Sequence, residues 1–243
     1  MCWLKLDRKL YFVNWQREVT VEELNGQKVV VKRNKRTKVF HELLVVYSYS
    51  LISILLAKPS PPPVINNIMR NEGYDMRKNL SLIGILTPAL ISISDTFIVE
   101  EYIEGGNLYV ALSCGQSSVL AFEAGRFTGK LHKSSYAFVD NKAQNFLVKK
   151  DSVIRTDLGF IQKSDSIYAK SMDIGSFLAS VMDLDRYAEI QRAFYEGYKL
   201  ESGYKFPRLS VLIRNALSIG FSSNYRTTLR NIVLDHLSEL IDS

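Results

Sequence analysis

The chain predicts an α+β fold, with a small antiparallel sheet near the N-terminus followed by a mostly helical body. Three observations carry this. The runs VTVEEL and KVVVKR are β-branched and flank Asn25-Gly26, a dipeptide suited to the positive φ angles of a tight hairpin. Further on, apolar residues recur at helical spacing: Leu120, Ala124, Phe127 and Leu131, then Tyr187, Ile190, Phe194 and Tyr198. Between these stretches, NFLV and VIR bracket the polar KKDS, which reads as a second, shorter hairpin.

Length and composition bound the answer. A chain of 243 residues is one large domain or two small ones, and 47% hydrophobic with 23% charged residues is ordinary for a globular protein with a substantial core. Two cysteines, Cys2 and Cys114, exclude a disulfide framework and suggest a reducing compartment. The N-terminal MCWLKLDRKLYFVNW alternates polar and apolar residues, so it is not a signal peptide, and a cytoplasmic location is expected. A net charge of +6 favours anionic partners such as nucleotide, acidic lipid or RNA, but nothing specifies nucleic acid.

Taken in order, the sheet is expected over Leu10 to Arg33, with Lys32 ending the run Val29-Val30-Val31. The turn Asn14-Trp15-Gln16-Arg17 between its first two strands holds no glycine. Val39 to Ala57 is almost continuously apolar but marginally short for a membrane span, which needs about 20 residues. Two readings stay open: a helix packed on the small sheet-bearing part, or a surface helix touching membrane or a protein partner. The prolines after Lys58 end that helix in a stiff spacer. Ile65, Ile68, Met69, Met76, Leu80 and Ile83 predict a helix closed by Gly84 and carrying Glu72. Strands follow at Ala89 to Ile93 and Thr96 to Tyr102, then a helix over Gln116 to Lys133 and another beginning at Asp173. The last helix places Leu229, Ile232, Val233, Leu237 and Leu240 on one face, and Arg208, Arg214 and Arg226 read as scattered exposed charges.

Chemistry concentrates around the second hairpin, at Asp140, Lys142, Asn145 and Asp157. Two strands joined by a tight turn bring Asn145 and Asp157 to neighbouring ends, and their oxygens are hard donors suited to Mg²⁺.

An Asp, an Asn five residues later, and a strand running into Asp157-Leu158-Gly159 resemble the catalytic core of the protein-kinase-like fold. The similarity is to its small atypical members: the KEOPS-complex kinase, lipopolysaccharide-core sugar kinases and aminoglycoside phosphotransferases. Leu131-His132 precedes Asp140 at the family's distance, and Phe194-Tyr195-Glu196-Gly197-Tyr198 resembles a Phe-x-x-Gly-Tyr helix of the small-molecule members. Phe138 stands where a His is usual, and the glycine-rich loop and long activation segment are missing.

The resemblance implies two lobes: residues 1–103, with an apolar insert at 38–63, and a helical part at 104–243. It implies ATP with Mg²⁺ or Mn²⁺, Asp140 as the acceptor's base, Lys142 facing the transferred phosphate, and Asn145 and Asp157 as metal ligands. Lys32 would hold the α and β phosphates and pair with Glu72, while Glu100, Glu101 and Tyr102 would form the adenine-binding hinge. Asp173 would tie down the catalytic loop. An atypical Ser/Thr protein kinase-like phosphotransferase is the expectation, with a protein or small-molecule hydroxyl as acceptor. The alternatives are a pseudokinase scaffold and a lipid or sugar kinase at the membrane surface. A membrane-spanning 39–57 would set Lys32 and Asp157 on opposite sides of the bilayer.

Overall fold

The computed structural model describes residues 17–241, with side chains described as far as Asp235. The expected strand residues Leu10 to Gln16, including most of the first turn, and Cys2 lie outside the described residues. The fold is α+β, as the sequence predicts.

Four strands form an antiparallel sheet: β1 (Arg17–Leu24), β2 (Gln27–Asn34), β3 (Leu90–Ile93) and β4 (Phe97–Glu101), in the order β1-β2-β4-β3. The β1–β2 turn uses positive φ at both Asn25 and Gly26, as the Asn-Gly pair requires. Register then decides what faces the site. Val30 lies opposite Glu100 and Lys32 opposite Ile98, so Lys32 and Glu100 are diagonal neighbours on one face.

The helical body holds α4 (Leu108–Ser113), α5 (Val119–Lys133), α6 (Ile167–Val181), α7 (Tyr187–Ser202), α8 (Leu209–Phe221) and α9 (Tyr225–Ile241). Its core joins Leu120, Ala124, Phe127 and Leu131 of α5 to Ile174, Phe177 and Val181 of α6 and Ile190, Phe194 and Tyr198 of α7. Phe177 and Phe194 stack with centroids 4.0 Å apart. Burying each such ring contributes about 2–3 kcal/mol. The α5–α7 crossing depends on glycine: a Cβ on Gly125 would come within 2.1 Å of the Phe194 carbonyl oxygen. Asp173 does not begin a helix; α6 starts six residues earlier, capped by the Ser166 side chain, and is buried nearly all round.

The helix expected through Glu72 is broken. A short 3₁₀ turn at Ile65–Asn67 runs into α2 (Ile68–Asn71), and α3 (Tyr74–Leu82) begins after Gly73, whose extended ψ interrupts the helix. Glu72 therefore sits in a kink rather than on a helix face. The apolar stretch forms α1 (Lys38–Leu55), which among the described residues makes no extensive contact with the sheet. Tyr49, Val45 and Leu56 instead join a second core with Tyr168 and Ala169 of α6, Ile213 of α8, and Val139. The last helix also departs from expectation, since Leu229, Val233 and Leu234 are exposed. Arg214 is buried, not exposed, and pairs with Asp235.

Candidate active site

Two short strand pairs bring the expected site residues together. β5 (Tyr136–Ala137) pairs with β8 (Gln162–Lys163), and β6 (Phe146–Lys149) pairs with β7 (Ser152–Arg155) in the hairpin that the sequence predicts. The hairpin's open end continues in a bond from the Thr156 amide to the Asn145 carbonyl at 3.0 Å, which sets Asn145 beside the Asp157 segment.

The Asp140 loop is held from below. Asp173 accepts from the backbone amides of Phe138 at 2.7 Å and Val139 at 2.6 Å, and from or with His132 Nε2 at 3.0 Å. Asp173 thus ties this loop to α6, and His132 is a buried structural residue bonded also to the Tyr198 hydroxyl. Val139 is β-branched yet has φ +67°, and Asp157 has φ +58°. Left-handed backbone of this kind persists only where surrounding bonds enforce it, and it gathers at functional sites. Asp140 itself contacts Lys142 Nζ at 2.7 Å and Asn145 Nδ2 at 3.2 Å. Burial alone would raise its carboxyl, but Lys142, Arg155 and Asn145 outweigh that and hold the pKa below the ordinary value.

Arg155 was not anticipated, and it is the hub. Fully buried, it donates from Nη2 to the carbonyls of Asp140 at 2.8 Å and Asp157 at 3.3 Å. Its guanidinium lies 4.3 Å from the Phe138 ring centroid and 5.1 Å from that of Phe146. Phe138 thus offers the aromatic face on which a buried cation rests. The only sequence signal was an arginine ending an otherwise apolar strand.

The sheet side supplies the other charges. Lys32 Nζ reaches Thr156 Oγ1 at 2.7 Å, next to Asp157 and 124 residues away in sequence, and pairs with Glu100 Oε2 at 2.6 Å. Glu72 is not its ion-pair partner. Arg17 takes Glu72 at 2.8 Å and approaches Asp157 Oδ1 at 3.9 Å, while Arg77 contacts both Glu72 and Glu100. The reason is register: Lys32 and Glu100 share a face of neighbouring strands, and the kink at Glu72 turns its carboxylate to the start of β1. Arg17, Lys32 and Arg77 match Glu72, Glu100 and Asp157 in charge. Burial opposes the charge on Glu72, yet Arg17, Lys32 and Arg77 bring its pKa down to about 2. Asp157 is pushed up, first by burial and then by the Glu72 carboxylate.

The side chains of Glu100 and Glu101, expected in the hinge, are placed differently from one another. That of Glu100 is buried in the ion-pair chain. Glu101 turns the other way, to Lys149 at 2.8 Å, and Tyr102 lies under Lys28. Tyr102, Glu104 and Gly105 border an open cavity of about 490 Å³ with Gln27, Lys28 and Lys149, which Lys32 and Asp157 do not line. Gly105 permits close passage there: a Cβ would come within 2.1 Å of the Val148 carbonyl oxygen.

A divalent cation fits the donor set modestly. Asp157 is 31% exposed, and the Glu72 and Asp140 carboxylates reinforce the negative potential that raises its pKa. Asn145 commits its amide nitrogen to Asp140, leaving the amide oxygen as its other donor atom. Among the described residues no group of three or more His, Cys, Asp or Glu forms a metal cluster, so only a site completed by ligand oxygens is compatible. No family model and no curated protein matches this chain.

Proposed function

We propose that the chain is an ATP-dependent phosphotransferase of the protein-kinase-like type, acting in the cytoplasm on a hydroxyl acceptor. The observation that supports it most is the meeting of Lys32 with Thr156 at 2.7 Å, beside Asp157, within a site whose other wall is Asp140, Lys142 and Asn145. Such a set can do what phosphoryl transfer asks of a protein, which is positioning and charge stabilisation.

In this reading Lys32 steadies the nucleotide phosphates, and Lys142 offsets charge on the group in transfer. Asp140, kept ionised by Lys142 and Arg155, orients the acceptor hydroxyl and takes its proton. Asp157 and Asn145 are the residues that would hold Mg²⁺. When bound, that ion would neutralise phosphate charge. Arg17 secures Glu72 and so keeps a second cation near Asp157.

A thermal-shift titration with ATP, with and without Mg²⁺, followed by release of radiolabelled phosphate, tests the reading. Stabilisation that requires Mg²⁺, together with turnover, is expected. Stabilisation without turnover would establish a pseudokinase, and no response to nucleotide would remove the proposal.

A further inference from the structure

α1 is amphipathic in reverse. Its inward face carries Lys38, His41, Glu42, Tyr49 and Ser53, all buried. Lys38 and Glu42 neutralise each other at 3.3 Å, and Tyr49 packs edge-on against Tyr168 with centroids 4.8 Å apart. Phe40, Leu43, Leu44, Tyr47, Leu51 and Ile54, spaced three and four apart, point away from the protein, and all are exposed. A core helix does the opposite. Over 18 residues, about 27 Å of helix, no charged side chain interrupts this outer stripe.

By length and composition α1 could cross a membrane, and only 28% of it is buried. Crossing is incompatible with the fold. Lys32, before the helix, bonds Thr156 after it, and Tyr168 donates to the Tyr49 carbonyl at 3.2 Å in mid-helix. A membrane can therefore take the stripe only along its surface, with one side of the helix still seated on the protein.

Charge selects the occupant. Lys38 is neutralised by Glu42 and Arg33 by Glu22, which leaves Lys35, Arg36 and Lys58 as the basic residues flanking the helix, with Arg36 and Lys58 exposed at its two ends. An apolar stripe between basic ends is complementary to anionic lipid, whose head groups attract the cations while the acyl boundary takes up the stripe. We propose that the outer face of α1 seats this protein on an anionic membrane surface. The seating does not rest on the phosphotransfer reading.

Co-sedimentation of the full chain with vesicles tests it. Binding is expected to phosphatidylcholine vesicles containing phosphatidylserine and not to phosphatidylcholine alone, and to weaken as salt rises. The double variant Phe40→Ser/Leu51→Ser should lose about tenfold or more in binding. Arg36→Ala/Lys58→Ala should lose about fivefold for each cation. Both should keep the parent's melting temperature and its response to Mg²⁺ and ATP, so a failed seating and a failed nucleotide site are told apart. Absence of vesicle binding, binding unchanged in the Phe40/Leu51 variant, or a solution dimer dispersed by Leu51→Ser would overturn the proposal.

Discussion

The Asp140 loop and the charge chain around Glu72 stand side by side, yet different forces hold them. The loop is fixed by directed bonds to backbone: Asp173 grips two amides and Arg155 grips two carbonyls. Around Glu72 almost every contact is between side-chain charges, from Arg17 through Glu72 and Arg77 to Glu100 and Lys32. Backbone anchors leave one geometry. Ion pairs can exchange partners. The Asp140 loop is therefore the rigid side of the pair, and the charges around Glu72 are the adaptable one.

The sharpest way to break this contrast is to cut the loop's anchor. Asp173→Ala leaves two amides and His132 without their buried acceptor, and should cost about 4 kcal/mol in denaturant unfolding. A cost below 1 kcal/mol would mean that the loop is held by something else. On the charged side, Glu72→Gln should cost about 2–3 kcal/mol, because Arg17 and Arg77 keep their charges without the central carboxylate. Its pH signature is specific. The folded pKa near 2 lies below the ordinary 4.5, so the stabilisation is complete above the higher value and disappears as pH falls toward the lower one. The parent's stability should therefore decline through that acid window, and the decline should be shallower in Glu72→Gln. The smallest effect belongs to Lys149→Ala. Its pair with Glu101 is exposed at both ends, so the melting curve should move by less than about 1 kcal/mol.

The same contrast explains what was legible in the sequence. Asp140, Asn145 and Asp157 were readable because a short hairpin fixes their spacing locally. The sheet was readable because Asn25-Gly26 dictates its turn. The pairings of Arg17 with Glu72 and of Lys32 with Glu100 were not, since they depend on strand register and on a kink at Gly73 that helical spacing conceals. Spacing suggested that Glu72 would meet Lys32; the diagonal from Lys32 to Glu100 across β2 and β4 is shorter. The apolar count of α1 likewise gave no hint that its polar side would face inward, because burial there is set by Tyr168 and the second core, far along the chain. The place of Phe138 is legible only together with Arg155, whose guanidinium rests on its ring.

The central claim is that Asp157 works with the sheet lysine on one magnesium-bound nucleotide, and Mg²⁺-dependent ATP turnover by Asp157→Ala against the parent measures it most directly. The account predicts a drop of about a hundredfold or more with an unchanged melting temperature. A variant that turns over ATP as fast as the parent would contradict it.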